Sequence, residues 1–211
     1  MQDVTKLVGA VSREVKPGTR GGQPVRSVVA SRVYDTDLAD AWDALTSPER
    51  LARWFGPVEG ELRLGGRYQL QGNASGTITR CEPPRELHVT WEFGGGLSWV
   101  EVALEAAEPG RTRLTLAHIC PVDEHMNTYG PGAVGVGWDL GLVGLQLHLE
   151  DRANATRAQG DVWAAGAEGQ RFQSLASDDW ARAAIAAGAD PVRAREAAAR
   201  VTAFYSGAGA P

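Results

Sequence analysis

Along residues 132–150 the apolar side chains recur in two interleaved series. Trp138, Leu142, Leu145 and Leu149 follow at steps of four, three and four, and Val136, Leu140, Val143 and Leu147 repeat those steps. On a helix turning about 100° per residue the two series lie roughly 180–200° apart. Such a helix has no face for water and must be sandwiched. Upstream the pattern changes to period-two alternation punctuated by glycine, proline and asparagine, which predicts strands over 25–34, 58–64, 67–72, 75–82, 86–93, 98–106 and 111–119. Within them Leu87, Val89, Trp91 and Phe93 share one face, as do Leu114, Leu116 and His118. Two short helices are predicted after the first strand. Asp35 or Thr36 caps the first, which carries Leu38, Trp42 and Leu45; Ser47 caps the second, with Pro48 at its first position, and it ends near Trp54 before Gly56-Pro57. Residues 121–131 read as a polar loop.

The ends of the chain follow other patterns. In residues 1–24, Val4, Leu7, Val8, Val11 and Val15 suit a helix, while Val11 and Val15 around Arg13 also suit a strand; Pro17–Pro24 reads as a linker or turn. In residues 153–211, Ser177 is placed to cap a helix reaching Gly188, and Asp190-Pro191 to start another that stops at Gly207. Ordering those helices costs about 1.5 kcal/mol per residue, which Ala-rich segments do not recover alone, so Trp163, Phe172, Trp180, Ile185 and Phe204 must dock or the tail stays loose. The order strand, two helices, six strands, long helix predicts an α+β helix-grip fold: a curved seven-stranded antiparallel sheet wrapped around the long helix. The Trp138 stripe faces the sheet. The outer stripe, Val136, Leu140, Val143 and Leu147, is covered by the tail or by a second copy in a homodimer. The expected domains are an N-terminal segment (1–24), the helix-grip domain (25–152) and a helical extension (153–211) on the long helix.

Composition narrows the function classes. A net charge of −5 argues against a nucleic-acid binder, which needs phosphate neutralisation. All but two of the 21 basic residues are Arg (Lys6 and Lys16 are the exceptions), a bias expected of a GC-rich bacterial genome. The two cysteines, Cys81 and Cys120, have neither metal nor redox spacing, so a reduced cytoplasmic protein is expected. No apolar run approaches membrane-spanning length.

Several local patterns carry a family resemblance. They are Pro48-Glu49-Arg50-Leu51 before Trp54-Phe55-Gly56-Pro57, Gly65-Gly66-Arg67-Tyr68, Pro83-Pro84, Thr90-Trp91-Glu92, Thr112-Arg113-Leu114 through His118, and Gly137-Trp138. Over roughly residues 25–152 the chain resembles the START-like (SRPBCC) superfamily, in the branch named for activators of the heat-shock chaperone ATPase. The resemblance implies the helix-grip fold and one of several functions, since its members include lipid and hormone carriers, polyketide cyclases and chaperone cofactors.

Candidate chemistry is sparse. Gly130-Pro131-Gly132-Ala133-Val134-Gly135 matches G-x-G-x-x-G, but no strand follows the helix it opens, so close packing explains the glycines better than a nucleotide does. Asp123, Glu124 and His125 fall in one loop, which suits capping better than a metal site. No metal or other cofactor is expected. His118, at the inward end of a strand, is either a polar ligand contact or a structural histidine hydrogen-bonded to backbone. His88 and His148 show no partner pattern. The leading expectation is a non-enzymatic binder of a small hydrophobic or aromatic ligand in a cavity between sheet and long helix, lined by Trp54, Tyr68, Trp91, His118, Trp138 and Leu142. One alternative is a chaperone-cofactor-like interaction module, with Trp99 facing outward. The other is a cyclase- or hydrolase-like enzyme pairing His118 with Glu101, against which their opposite facing counts.

Overall fold

A computed structural model describes residues 3–207. Its elements in order are α1 (Val4–Gly9), β1 (Ser12–Arg20), β2 (Gln23–Tyr34), α2 (Leu38–Thr46), α3 (Pro48–Trp54), β3 (Val58–Gly60), β4 (Arg67–Leu70), β5 (Ser75–Glu82), β6 (Glu86–Phe93), β7 (Gly96–Glu108), β8 (Arg111–Pro121), α4 (Glu124–Tyr129), α5 (Gly132–Glu150), α6 (Arg157–Ala165), α7 (Ala167–Ala186) and α8 (Pro191–Tyr205). The strands form one eight-stranded antiparallel sheet in the order β1-β2-β8-β7-β6-β5-β4-β3. The α+β helix-grip class is as expected, with one more strand than the seven predicted. The extra strand is β1, from the segment whose valines fitted both periods. The 58–64 strand contracts to Val58–Gly60, because the backbone turns at 61–66.

Local chemistry explains the helix ends. Asp37, rather than Asp35 or Thr36, caps α2 by accepting from the Asp40 amide at 2.8 Å. Ser47 caps α3, with Pro48 in its first turn. The expected loop at 121–131 instead contains α4, where Asp123 accepts from the Met126 amide at 2.7 Å. Gly130 then turns the chain into α5 at φ +63°, a left-handed conformation that favours glycine. Ser177 is not a cap: it lies inside α7, and its hydroxyl donates to the Gln173 carbonyl at 2.8 Å. Asp190 does cap α8, accepting from the Arg193 amide at 2.9 Å.

The chain forms two compact units. The first gathers the described parts of 1–30, 120–140 and 161–211. Its centre is Arg13 of β1, whose Nε donates to Asp139 Oδ2 at 3.1 Å and whose Nη1 donates to Asp179 Oδ2 at 3.0 Å. The Trp180 indole N–H donates to the same Asp139 oxygen at 2.9 Å. Phe172, Ala176, Trp180 and Val201 are buried around this network. A Cβ at Gly135 would fall 2.3 Å from Trp180 Cε2, and one at Gly132 would fall 3.3 Å from Val201. The tail therefore docks on the first half of α5, with Trp180 at Gly135 and Asp139, Val201 at Gly132 and Tyr205 at Gly137. Of the outer stripe, Val136 and Val143 are buried and Leu140 and Leu147 half-buried.

The second unit comprises 31–119 and 141–160. Here the second half of α5 is tied to the sheet by the Tyr34 hydroxyl, which donates to the Leu142 carbonyl at 3.0 Å, and by the Arg32 guanidinium on Gln146 Oε1. Helix α3 packs on α5 where Gly144 meets Trp54.

Candidate functional site

In the second unit, strand register lines up the candidate site. Tyr68 pairs with Gly76, Ser75 with Glu92, Trp91 with Ser98, and Val100 with His118. Because facing alternates along a strand, Tyr68, Trp91, Ser98, Val100 and His118 share one sheet face. Ile78, Val100, Leu104, Leu114 and Leu116 are buried on that face. Along β6 the inward residues Leu87, Val89 and Trp91 are all only half-buried, as is Val102 opposite Leu87.

Beside them lies a buried polar group. His118 is 4% exposed, and Trp91 approaches it edge-on with ring centroids 6.0 Å apart. Burial pushes its pKa down to about 4, so the imidazole is neutral at pH 7. Its Nε2 lies 2.8 Å from Ser98 Oγ, and that hydroxyl lies 3.1 Å from the Trp91 carbonyl oxygen. Tyr68 sends its hydroxyl to the Thr90 carbonyl at 2.8 Å, and burial raises its pKa.

The remaining expected site residues lie on helices. Trp54, at the end of α3, donates its indole N–H to the Ala44 carbonyl at 3.0 Å, which pins α3 to α2. Leu142 is buried on α5. Trp138 belongs to the first unit, half-buried beside Asp139. The geometry thus brings Tyr68, Trp91 and His118 onto one face, with Ser98 as a member that sequence reasoning missed. Ser98 could have been found from its parity with Val100.

A second missed cluster is polar. Arg50 Nε donates to His148 Nε2 at 3.1 Å, and Arg50 Nη1 donates to Asp40 Oδ1 at 2.8 Å and Asp43 Oδ2 at 2.9 Å. His148 therefore has a partner after all, and it lies 98 positions away. Burial, then the neighbouring Arg50, Arg53 and Arg152, lower its pKa. The arrangement clamps α2, α3 and α5 together.

Other expected chemistry is not assembled. Glu101 pairs with Ala117 and Val100 with His118, so Glu101 and His118 occupy opposite faces and form no acid–base pair. Trp99, paired with Thr90 and Ile119, lies on the outer face with Glu101. Asp123 serves as the α4 cap, and among the described residues no group of three His, Cys, Asp or Glu is placed to hold a metal. Burial, with Asp123 nearby, raises the Cys120 thiol to about 12, which leaves it inert as a nucleophile at neutral pH.

The family model described as activator of Hsp90 ATPase homolog 1-like protein matches residues 35–150. The crystal structure of CalU16 from Micromonospora echinospora is 34% identical, with a TM-score of 0.68 over 82% of this chain and 98% of that one. Its solution NMR structure is likewise 34% identical, with a TM-score of 0.71 over 85% and 97% of the two chains. EF2215 from Enterococcus faecalis, a conserved protein of unknown function, shares the fold at 15% identity, with a TM-score of 0.61 over 85% and 95%. No curated protein matches. Together, the sheet order, the long helix and these likenesses make the chain a member of the activator of Hsp90 ATPase homolog 1-like family, within the START-like superfamily.

Proposed function

We propose that the protein binds a small hydrophobic or aromatic ligand over the inner face of β6. The observation carrying this reading is that Leu87, Val89 and Trp91, with Val102 beside them on β7, stay half-buried while Ile78, Val100 and Leu104 on the flanking strands are buried. Apolar side chains left partly open in the middle of an otherwise covered face suit an apolar guest. Trp91 supplies the flat wall and Tyr68 flanks it, while Trp54 and Leu142 hold the helices of the same unit; His118 is the polar contact. Titration of the full-length protein with 2-methylnaphthalene tests this. One saturable site per chain that quenches tryptophan fluorescence is expected, weakened about tenfold in Trp91→Ala, where the lost aromatic contact is worth on the order of 1–2 kcal/mol. Absence of saturable binding overturns the reading.

A second reading, regulation of an Hsp90 ATPase, is supported by the family description over residues 35–150. Addition of the protein to purified Hsp90 raises ATP turnover on that reading and leaves it unchanged on the first. We assign the protein to the cytoplasm, where its two free thiols, Cys81 and Cys120, stay reduced. Among the described residues no helix is long and apolar enough to cross a membrane.

A further inference from the structure

We propose that the contact between Arg50 and His148 is an acid-released latch: a proton on His148 Nε2 frees α2 and α3 from α5 while the strands stay paired.

A guanidinium only donates, so the bond from Arg50 Nε to His148 Nε2 at 3.1 Å needs a bare Nε2. The neutral ring then carries its proton on Nδ1, which is buried and has no hydrogen-bond partner among the described residues. A second proton can go only to Nε2, where it meets the Arg50 N–H head on and the bond is lost. The surrounding charges oppose that proton too. Arg50 and Arg53 of α3 and Arg152 beyond α5 carry its sign, and Asp40 of α2 is the opposing charge. Asp43, also of α2, is bound to Arg50 Nη1 and largely exposed. Asp40 is not itself the trigger. Against the cost of burial, Thr36, Arg50 and Arg152 hold its carboxyl below the usual range, so it stays charged at pH 5.

Burial does little to keep the two helices seated. Helix α3 has no buried residue, and α2 buries only Ala41 and Ala44. Polar ties therefore carry much of their attachment, as is usual for segments that open locally. The Trp54 indole bond to the Ala44 carbonyl joins α3 to α2, so the two leave together. They are inserted between β2 and β3, which are not sheet neighbours, and their release breaks no strand pairing. Helix α5 stays anchored through the Tyr34 hydroxyl on the Leu142 carbonyl. The closed arrangement needs a neutral ring, whereas a released ring takes its proton near the ordinary histidine value. The closed form therefore loses stability as pH falls below about 6.5.

Hydrogen exchange of the full-length protein at pH 7.5 and 5.0, corrected for intrinsic rates, reads the latch. The lower pH stays above the value of about 4 at which folded His118 takes its proton. Amides of residues 38–54 are expected to exchange at least about tenfold faster at pH 5.0, the worth of one hydrogen bond to a charged group, and well ahead of those in β5–β8. His148→Gln offers Arg50 an amide oxygen that does not titrate, so the acceleration should shrink to within about twofold. Three results overturn the proposal: no acceleration at 38–54, exchange there at the same rate as the strands, or the full acceleration surviving in His148→Gln. A measurement on the wild type stands apart from the variant's folding. At pH 7.5, ¹⁵N NMR should show His148 bare at Nε2 and protonated at Nδ1, and a proton on Nε2 overturns the latch.

Discussion

A buried imidazole weakens a fold in acid, and this chain contains two, His118 and His148. Above about pH 6.5, the ordinary histidine value, both are neutral whether the chain is folded or not. Below it the unfolded chain takes up protons that folded His118 refuses until about pH 4. Stability therefore falls as pH drops through that window, by on the order of 3 kcal/mol for His118 alone; His148 acts in the same direction. Thermal melts of the wild type and His118→Gln between pH 7 and 4 check this: the variant should lose less of its Tm on acidification, and parallel curves would refute the assignment. The inward facing of His118 was legible from its parity with Leu114 and Leu116. Its partner was not, because Ser98 reaches it only through the β7–β8 register, which one strand's alternation does not reveal. Arg50 and His148 were invisible for a similar reason, since nothing local in either segment announces the other.

At the scale of elements, legibility followed the strength of the local pattern. Strands β4, β5, β6 and β8 and helix α5 lie close to their predicted ranges, because period-two or helical spacing ran between clear turn residues. Strand β1 was undecided because two valines four apart satisfy both periods, and pairing with β2 decides the matter. Helix α6 has no buried residue and hence no apolar face to read. Ser177 misled because a serine bonding back to its own helix looks, in sequence, like a cap. Two glycines separate propensity from packing. Gly160, in α6, has open space where a Cβ would stand, so Gly160→Ala should stabilise by about 0.5–1 kcal/mol. Gly135→Ala gains the same propensity but drives a methyl into the Trp180 ring, so a net loss of about 1–3 kcal/mol is expected. Urea denaturation of both variants checks the pair, and stabilisation by Gly135→Ala would show that α7 does not seat against α5 as described.

For the whole molecule, the informative feature is that one compact unit is assembled from three separated stretches of chain. Asp139 is 0% exposed and joins all three, accepting from Arg13 and from Trp180. Asp139→Ala leaves a buried guanidinium with only the partly exposed Asp179 as its carboxylate partner and the indole N–H without its acceptor. A loss of about 3–5 kcal/mol is expected, read by urea denaturation; a loss below about 1 kcal/mol would show that the network is peripheral. Sequence periodicity found the long helix that carries Asp139 but not the acid's role, because a single charge between two apolar stripes looks like a solvated position.

The same arrangement imposes a timetable on synthesis. The carboxylates that receive Arg13 lie 126 and 166 positions downstream of it. A ribosome adding about 5–20 residues per second needs roughly 8–33 s to travel from Arg13 to Asp179. Throughout that interval Val4, Leu7 and Val8 have no α7 to cover them, so the emerging polypeptide is open to proteases there.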